Sequence, residues 1–130
     1  SEGLTSLNVN VPGVTPLPES IWRLETTLVS TRPADLSSGF TAYLDADQLI
    51  GPVQLRPRQS ADRFQPQGMS TAVRLKDWLI SVKVPRLVRD RLPLLIAGEQ
   101  IAWVPGVRIG QPFIVTAQTR RIIKLIFRKT

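Results

Sequence analysis

The chain has 130 residues, a length that predicts one domain, residues 1–130, with its own hydrophobic core. It contains no cysteine and no histidine, which excludes disulfides, the usual transition-metal ligands and the commonest general base. The formal net charge is +7, but residues 1–55 carry two Lys/Arg against six Asp/Glu, and residues 56–130 carry fifteen against four. A net −4 beside a net +11 favours binding of a polyanion on one side of the domain.

No segment reads as a membrane or targeting sequence. The longest apolar runs, Leu92–Ala97 and Ile122–Phe127, are far too short to span a bilayer, and the start lacks a signal-peptide pattern. Together with the missing cysteines, this predicts a cytoplasmic protein without a membrane partner. The only methionine is Met69, so we expect the chain to be an excised domain.

The first half predicts short strands. They are expected over Leu4–Val11, Ile21–Val29, Phe40–Leu44 and Val53–Arg58, with a turn at Pro12-Gly13. A turn or short helical link is expected over 45–51. Its two carboxylates, Asp45 and Asp47, are the only closely spaced pair, and we expect them to accept local backbone hydrogen bonds rather than bind a cation or act as an acid–base pair.

In the second half of the chain, the spacing of the apolar residues changes from that of strands to that of helices. Leu75, Trp78, Leu79 and Val82 form the apolar stripe of a short helix that ends before Pro85, and Pro85 opens a second helix through Arg91. Phe64, Trp78 and Trp103 are expected to pack in the core. Further strands are predicted over Leu94–Ala97, Gln100–Val104, Phe113–Thr116 and Arg120–Arg128.

The last of these strands alternates, with Ile123, Leu125 and Phe127 on a core face. Its many cations favour an edge position, although a supplementary contact with the bound polyanion is the alternative. Short strands with two adjacent helices predict an α+β, β-rich domain of layered, sandwich-like sheets, with the helical pair on one side.

The order and spacing of several short segments after residue 56 carry a family resemblance. These segments are Asp62-Arg63-Phe64, Pro66, Gly68, Arg74-Leu75-Lys76, Val84-Pro85, Arg89, Pro93-Leu94 and Trp103-Val104-Pro105-Gly106. In this order they resemble the C-terminal domain of tRNA(Ile)-lysidine synthetase. Two positions depart from that pattern. Ala61 stands where the family has a glycine, which would allow positive φ, and Arg74 stands where the family has a lysine.

The resemblance implies a three-layer, β-rich fold similar to a domain of the phenylalanyl-tRNA synthetase β subunit. It also implies a parent ligase that uses ATP to join lysine to the anticodon wobble cytidine of tRNA(Ile), forming lysidine. ATP would bind in a catalytic domain with a Ser-Gly-Gly-x-Asp-Ser loop, which this chain lacks. The partners implied are tRNA(Ile), held here by its acceptor stem, and that catalytic domain. No catalytic, metal or cofactor site is expected in this chain.

Seven cations are the candidate RNA contacts: Arg56, Arg58, Arg63, Arg74, Lys76, Arg86 and Arg89. Arg56 and Arg58 would share a face of an extended segment, unless one of them pairs with Asp62. Arg63 lies in the family motif. Arg74 and Lys76 flank a helix start that Ser70 or Thr71 is expected to cap.

Arg86 and Arg89 share one face of the second helix, where RNA contact and an internal ion pair both remain open for Arg89. Cations with few exposed aromatics favour duplex RNA over single strands. The alternative function is a protein-interaction module that docks or dimerises the parent enzyme without touching RNA.

Overall fold

The computed structural model describes residues 6–31 and 39–129. Its two helices are α1 (Leu75–Ser81) and α2 (Arg86–Arg91), and short 3-10 turns cover Ala46–Gln48 and Gln111–Phe113. Neither helix in these described ranges is long and apolar enough to cross a membrane. The strands are β1 (Leu7–Asn8), β2 (Gly13–Pro16), β3 (Trp22–Val29), β4 (Thr41–Asp45), β5 (Val53–Arg56), β6 (Arg63–Phe64), β7 (Val73–Arg74), β8 (Leu94–Ala97), β9 (Gln100–Val104), β10 (Arg108–Ile109) and β11 (Ile122–Lys129).

The strands form two antiparallel sheets and a ribbon. One sheet has the order β1-β5-β8-β9-β10, the other has the order β2-β3-β11-β4, and β6 pairs with β7 alone. The first sheet lies in the middle of the molecule, since all four residues of β8 are buried and they alternate between two cores. The expected β-rich architecture of layers, with the helical pair on one side, is confirmed.

The first core lies between the two sheets. Leu55, Leu95 and Trp103 of the central sheet pack there with Leu24 and Leu125 of the four-stranded sheet. Trp103 is 2% exposed, so its expected packing role is confirmed. Period-two alternation supplies these contacts, because every second residue of a strand points to the same face.

The second core lies between the central sheet and the helices. Leu75, Trp78 and Leu79 of α1 pack there with Ile96 and with Phe64 of the ribbon. The rings of Phe64 and Trp78 meet edge to face with centroids 5.3 Å apart. The helical stripe is thus confirmed at three positions. It is wrong at the fourth, since Val82 follows the helix end and is 37% exposed.

A Schellman-type cap, rather than Pro85 alone, ends α1. Lys83 has a positive φ of 66°, its N–H donates to Ile80 O, and the N–H of Val84 donates to Leu79 O. Because this cap reverses the chain direction at once, α2 begins only five residues after α1 ends. The corner that joins them is stabilised largely by backbone hydrogen bonds.

Several strand predictions need correction. The strand expected over Val53–Arg58 ends at Arg56, directly before Pro57, and that expected over Leu4–Val11 is observed only at Leu7–Asn8, its first two residues lying outside the described ranges. Phe113–Thr116 is not a strand, because Pro112 sits in a 3-10 turn over Gln111–Phe113. The sequence missed β2, which tolerates Gly13 and Pro16 because it lies at a sheet edge.

The C-terminal strand β11 is central, not an edge strand. It pairs with β3 along all eight of its residues and with β4 along five, which contradicts the edge prediction. The predicted core face is correct, since Ile123, Leu125 and Phe127 are buried. The cations on its other face therefore lie over the middle of the four-stranded sheet, where they do not protect an edge.

That outer face carries a carboxylate between two guanidinium groups. Arg23 Nε donates to Glu25 Oε2 at 2.7 Å, and Arg128 Nε donates to Glu25 Oε1 at 3.0 Å. The hydrogen bond from Arg23 lowers the pKa of the Glu25 carboxyl below its ordinary value, and the hydrogen bond from Arg128 lowers it further by a smaller amount. Desolvation of the carboxyl acts in the opposite direction but does not cancel the two bonds.

Candidate nucleic-acid interface

Two of the predicted RNA contacts face each other on the ribbon. In the β6–β7 ladder Arg63 lies directly opposite Arg74, and Phe64 lies opposite Val73. Phe64 is 2% exposed and packs in the second core. Because side chains alternate along a strand, burying Phe64 directs Arg63 and Arg74 to the solvent, where both are exposed.

This Arg63–Arg74 pair has no carboxylate to neutralise it. Arg63 Nη2 donates to Ala72 O at 3.0 Å, but neither arginine forms an ion pair anywhere in the described ranges. Like charges directly opposite on paired strands destabilise a ladder, and their Cβ atoms lie about 4.5–5.5 Å apart. Two arginines at opposite positions of a ladder can direct their guanidinium groups to one phosphate or to two consecutive phosphates.

Two carboxylates lie close to the pair in sequence. Asp77, three residues after Arg74, is exposed and takes part in none of the ion pairs of the described residues. Asp62 is used elsewhere. Its two oxygens accept Arg56 Nη2 at 2.8 Å and Arg56 Nη1 at 3.0 Å, and Gln59 N–H donates to Oδ2 at 2.7 Å. The side chains of Arg56 and Asp62 are only 16% and 8% exposed. The predicted alternative, in which one arginine pairs with Asp62, is therefore confirmed, and that arginine is Arg56.

Arg58 is also tied internally. Its Nη2 donates to Asp90 Oδ1 at 2.8 Å, which joins the end of β5 to α2, and its side chain is 16% exposed. Since β5 ends at Arg56, strand alternation does not extend to Arg58, and the two arginines reach different carboxylates. Arg86 lies 3.9 Å from the same Asp90 and is 84% exposed.

Arg89 is turned towards the protein. Its Nη1 donates to Val84 O at 3.0 Å, and its Nε is buried without a protein partner. Of the two roles left open for Arg89, the geometry supports an internal one, although the bond goes to a backbone carbonyl rather than to a carboxylate. Arg56, Arg58 and Arg89 thus position the segments around the ribbon.

The start of α1 differs from the predicted cap. The N-cap residue is Arg74, without a side-chain cap hydrogen bond, so the expected cap by Ser70 or Thr71 is wrong. The Leu75 N–H is instead bound by the backbone carbonyl of Asp62 at 3.0 Å. Lys76 is exposed in the first turn, two residues after Arg74, and adds a third cation beside the ribbon.

Hydrogen bonds hold the tip of the ribbon in place. The Gln111 side chain accepts Gly68 N–H at 2.7 Å, and Gln111 N–H donates to Gln65 O at 2.7 Å. Ala61, which replaces the expected glycine, does not adopt positive φ, so the loop before the ribbon closes with ordinary backbone geometry. The Arg63–Arg74 pair is therefore presented by a fixed element.

Sequence reasoning missed Arg108 in this region. Its guanidinium carbon lies 5.3 Å from the centre of a Trp78 ring, and the side chain is exposed. Nothing in the local pattern could reveal it, because Arg108 and Trp78 are thirty residues apart and meet only in the folded molecule.

Of the two carboxylates in the other part of the chain, Asp45 accepts a local backbone hydrogen bond as expected, whereas Asp47 forms an ion pair with a distant arginine. Asp45 Oδ1 accepts the N–H of Asp47 at 3.0 Å, which caps the 3-10 turn, and Asp47 binds Arg121 at 2.8 Å. No group of three or more potential metal-ligating side chains occurs within residues 6–31 and 39–129.

Comparison with known proteins places the fold and this ribbon in a family. The family described as "TilS substrate C-terminal domain" matches residues 53–125, more than half of the chain. The chain belongs to this family. The match includes β6, β7 and both helices, so the Arg63–Arg74 ribbon lies within the TilS C-terminal domain itself.

Individual relatives agree with this membership. The tRNA(Ile)-lysidine synthase of Symbiobacterium thermophilum is 41% identical over 123 residues, which are 93% of this chain and 25% of the relative. That of Dehalococcoides mccartyi is 41% identical over 109 residues, covering 82% and 23%. A crystal structure of a TilS C-terminal domain superposes with a TM-score of 0.79 at 25% identity, over 96% of both chains. The chain therefore spans about a quarter of the length of these curated relatives.

Proposed function

We propose that this domain holds tRNA(Ile) for a parent ligase that uses ATP to join lysine to the wobble cytidine of the anticodon. In this proposal the domain grips the acceptor stem through its phosphates, and ATP and the reacting atoms lie in a catalytic domain elsewhere in the parent. The relatives named tRNA(Ile)-lysidine synthase and the family match support this assignment. The observation that carries it is the exposed, unneutralised Arg63–Arg74 pair.

The proposed contact surface consists of Arg63, Arg74 and Lys76. All three are exposed and lie on the ribbon or directly after it. Three exposed cations against one exposed carboxylate, Asp77, suit a phosphate backbone, and a duplex bound through its phosphates needs no aromatic platform. Arg86, although exposed, is separated from the ribbon by α1 and belongs to the surface around α2.

The domain acts through position rather than through chemistry. Contacts far from the reacting atoms hold the substrate in one orientation, and their binding energy offsets the entropy lost in placing the reacting groups together. The isolated domain is then catalytically silent. The ribbon places Arg63 opposite Arg74 before RNA binds, so less entropy is lost in bringing the two arginines together.

The proposal is tested by titrating the chain with tRNA(Ile) and with an acceptor-stem minihelix at several salt concentrations. Phosphate contact makes log affinity fall linearly with log salt. The double variant Arg63→Gln/Arg74→Gln is expected to weaken binding and to reduce the slope by about two.

The matched control is Arg121→Gln/Arg128→Gln. It removes the same charge from two exposed arginines, one beside the 3-10 turn at Ala46–Gln48 and one on the four-stranded sheet, and so it should leave the slope nearly unchanged. If both double variants lost the same RNA affinity, the binding would depend on net charge and not on the Arg63–Arg74 pair. Absence of RNA binding in the unmodified chain would favour the protein-interaction alternative.

A further inference from the structure

The corner between α1 and α2 exposes four aliphatic side chains. Ile80 is 48% exposed, Val82 37%, Leu87 72% and Val88 44%. We call these four residues the corner patch. They fall within nine consecutive residues, and α2 contributes no buried residue to either core. Aliphatic groups gathered in this way have no role in binding phosphates, and so the ribbon and its RNA do not account for them.

The surroundings of the corner patch are basic. Lys83, Arg86 and Arg91 are exposed around it, against one exposed carboxylate on α1, Asp77. Asp90 is the one carboxylate of α2, and Arg58 binds it at 2.8 Å. A partner therefore needs an aliphatic centre surrounded by carboxylates, since electrostatic complementarity selects the partner of opposite charge.

Two other occupants fit less well. In a two-fold dimer through the corner patch, each basic rim would face its own copy, and like charges in contact oppose such an interface. Stacked RNA bases need exposed rings, but the nearest tryptophan, Trp78, is 7% exposed in the second core. The chemistry of the patch favours a protein surface.

The small size of the corner patch favours a partner surface in the same polypeptide over an independent protein. Four aliphatic side chains cover far less than the roughly 800 Å² per partner that independent complexes bury. Such a contact is populated when the partner is tethered in the same polypeptide, where the effective concentration reaches about the millimolar range. The curated relatives extend over four times the matched length. We propose that the corner patch docks on an acidic, aliphatic surface in the remainder of the parent chain and sets the orientation of this domain.

The test compares hydrogen exchange at residues 80–91 in two settings. One is the isolated 130-residue chain. The other is a chimera in which this chain replaces the matched region of the Symbiobacterium thermophilum relative. Docking predicts amide exchange at least about tenfold slower in the chimera, since 1.4 kcal/mol corresponds to a factor of ten in the opening equilibrium. Equal exchange in both settings would overturn the proposal.

Leu87 and Ile50 provide a matched pair of variants, because both are 72% exposed. Leu87→Ser is expected to abolish the protection in the chimera, whereas Ile50→Ser leaves it in place. A second measurement compares the methyl resonances of Ile80, Leu87 and Val88 between the isolated chain and the chimera, where docking should shift them. Unshifted methyl resonances, or equal effects of both substitutions, would contradict docking.

Two further outcomes would reassign the patch. Protection that appears only when minihelix RNA is added would make it an RNA contact, and protection that grows with the concentration of the isolated chain would make it a self-association surface. Both overturn the docking proposal. The result is separable from RNA binding by the ribbon, since the isolated Leu87→Ser chain is expected to bind minihelix RNA with unchanged affinity.

Discussion

Asp62 binds Arg56 through its side chain and Leu75 through its backbone, and so connects three segments of the candidate interface. Its carboxylate binds both Nη atoms of Arg56 at 2.8 and 3.0 Å, and its backbone carbonyl accepts the N–H of Leu75 at 3.0 Å. The end of β5, the loop before the ribbon and the first turn of α1 are thereby held together. The residue that follows Asp62 is Arg63, so this arrangement also fixes where the ribbon begins.

Removal of the Asp62 carboxylate is expected to destabilise the domain. Asp62→Ala leaves the 16%-exposed Arg56 guanidinium and the Gln59 N–H without their acceptor, and the loss is on the order of 3 kcal/mol. Urea unfolding measures it. Asp47→Ala, which breaks the exposed pair with Arg121, should cost less than about 1 kcal/mol. Similar costs for the two variants would show that the Arg56–Asp62 pair has no special structural role.

Arg74 is predicted to lower the stability of the domain while it strengthens RNA binding. Arg74→Gln removes one of two like charges that face each other across the ribbon, so the free energy of unfolding should rise by a few tenths of a kcal/mol, up to about 1 kcal/mol. RNA affinity should fall in the same variant. A thermal melt at low salt, where the repulsion is least screened, gives the largest difference. A variant less stable than the parent chain would show that Arg74 is neutralised within the protein.

The Glu25 carboxyl is predicted to lose its proton at lower pH than an ordinary glutamate. The bonds from Arg23 and Arg128 lower its pKa, so its contribution to stability is present above the ordinary glutamate pKa and is lost as the pH falls through the lowered value. A carboxyl-carbon NMR titration measures the midpoint. Arg23→Ala should raise that midpoint more than Arg128→Ala does, because the bond from Arg23 has the larger effect. An unchanged midpoint in Arg23→Ala would contradict this ordering.

Ser70 and Thr71 are predicted to be unimportant for α1. The N-cap is Arg74, and the Leu75 N–H is bound by the Asp62 carbonyl, so neither hydroxyl supports the helix. Ser70→Ala and Thr71→Ala should each change the free energy of unfolding by less than about 0.5 kcal/mol. A cost of about 1 kcal/mol in either variant is the value expected for a lost cap and would restore the sequence interpretation.

Local periodicity made much of the fold predictable. The α1 stripe at Leu75, Trp78 and Leu79 and the alternation of Ile123, Leu125 and Phe127 both place their side chains in the cores. Each pattern depends only on neighbours along the chain, and the backbone geometry converts it directly into a buried face. The motif segments after residue 56 likewise identified the family without reference to coordinates.

Partnerships between distant residues were beyond such patterns. The sequence could not decide whether Arg56 or Arg58 pairs with Asp62, because this depends on where β5 ends. It also could not predict that Arg58 pairs with Asp90, thirty-two positions later, because this depends on how α2 packs. The central place of β11 and the Arg63–Arg74 pair followed from strand order and register. The amino-acid order therefore established the charge, the periodic core faces and the family, since these depend on composition and near neighbours. The folded arrangement alone selected which cations stay unpaired, because an ion pair requires two side chains to meet in space.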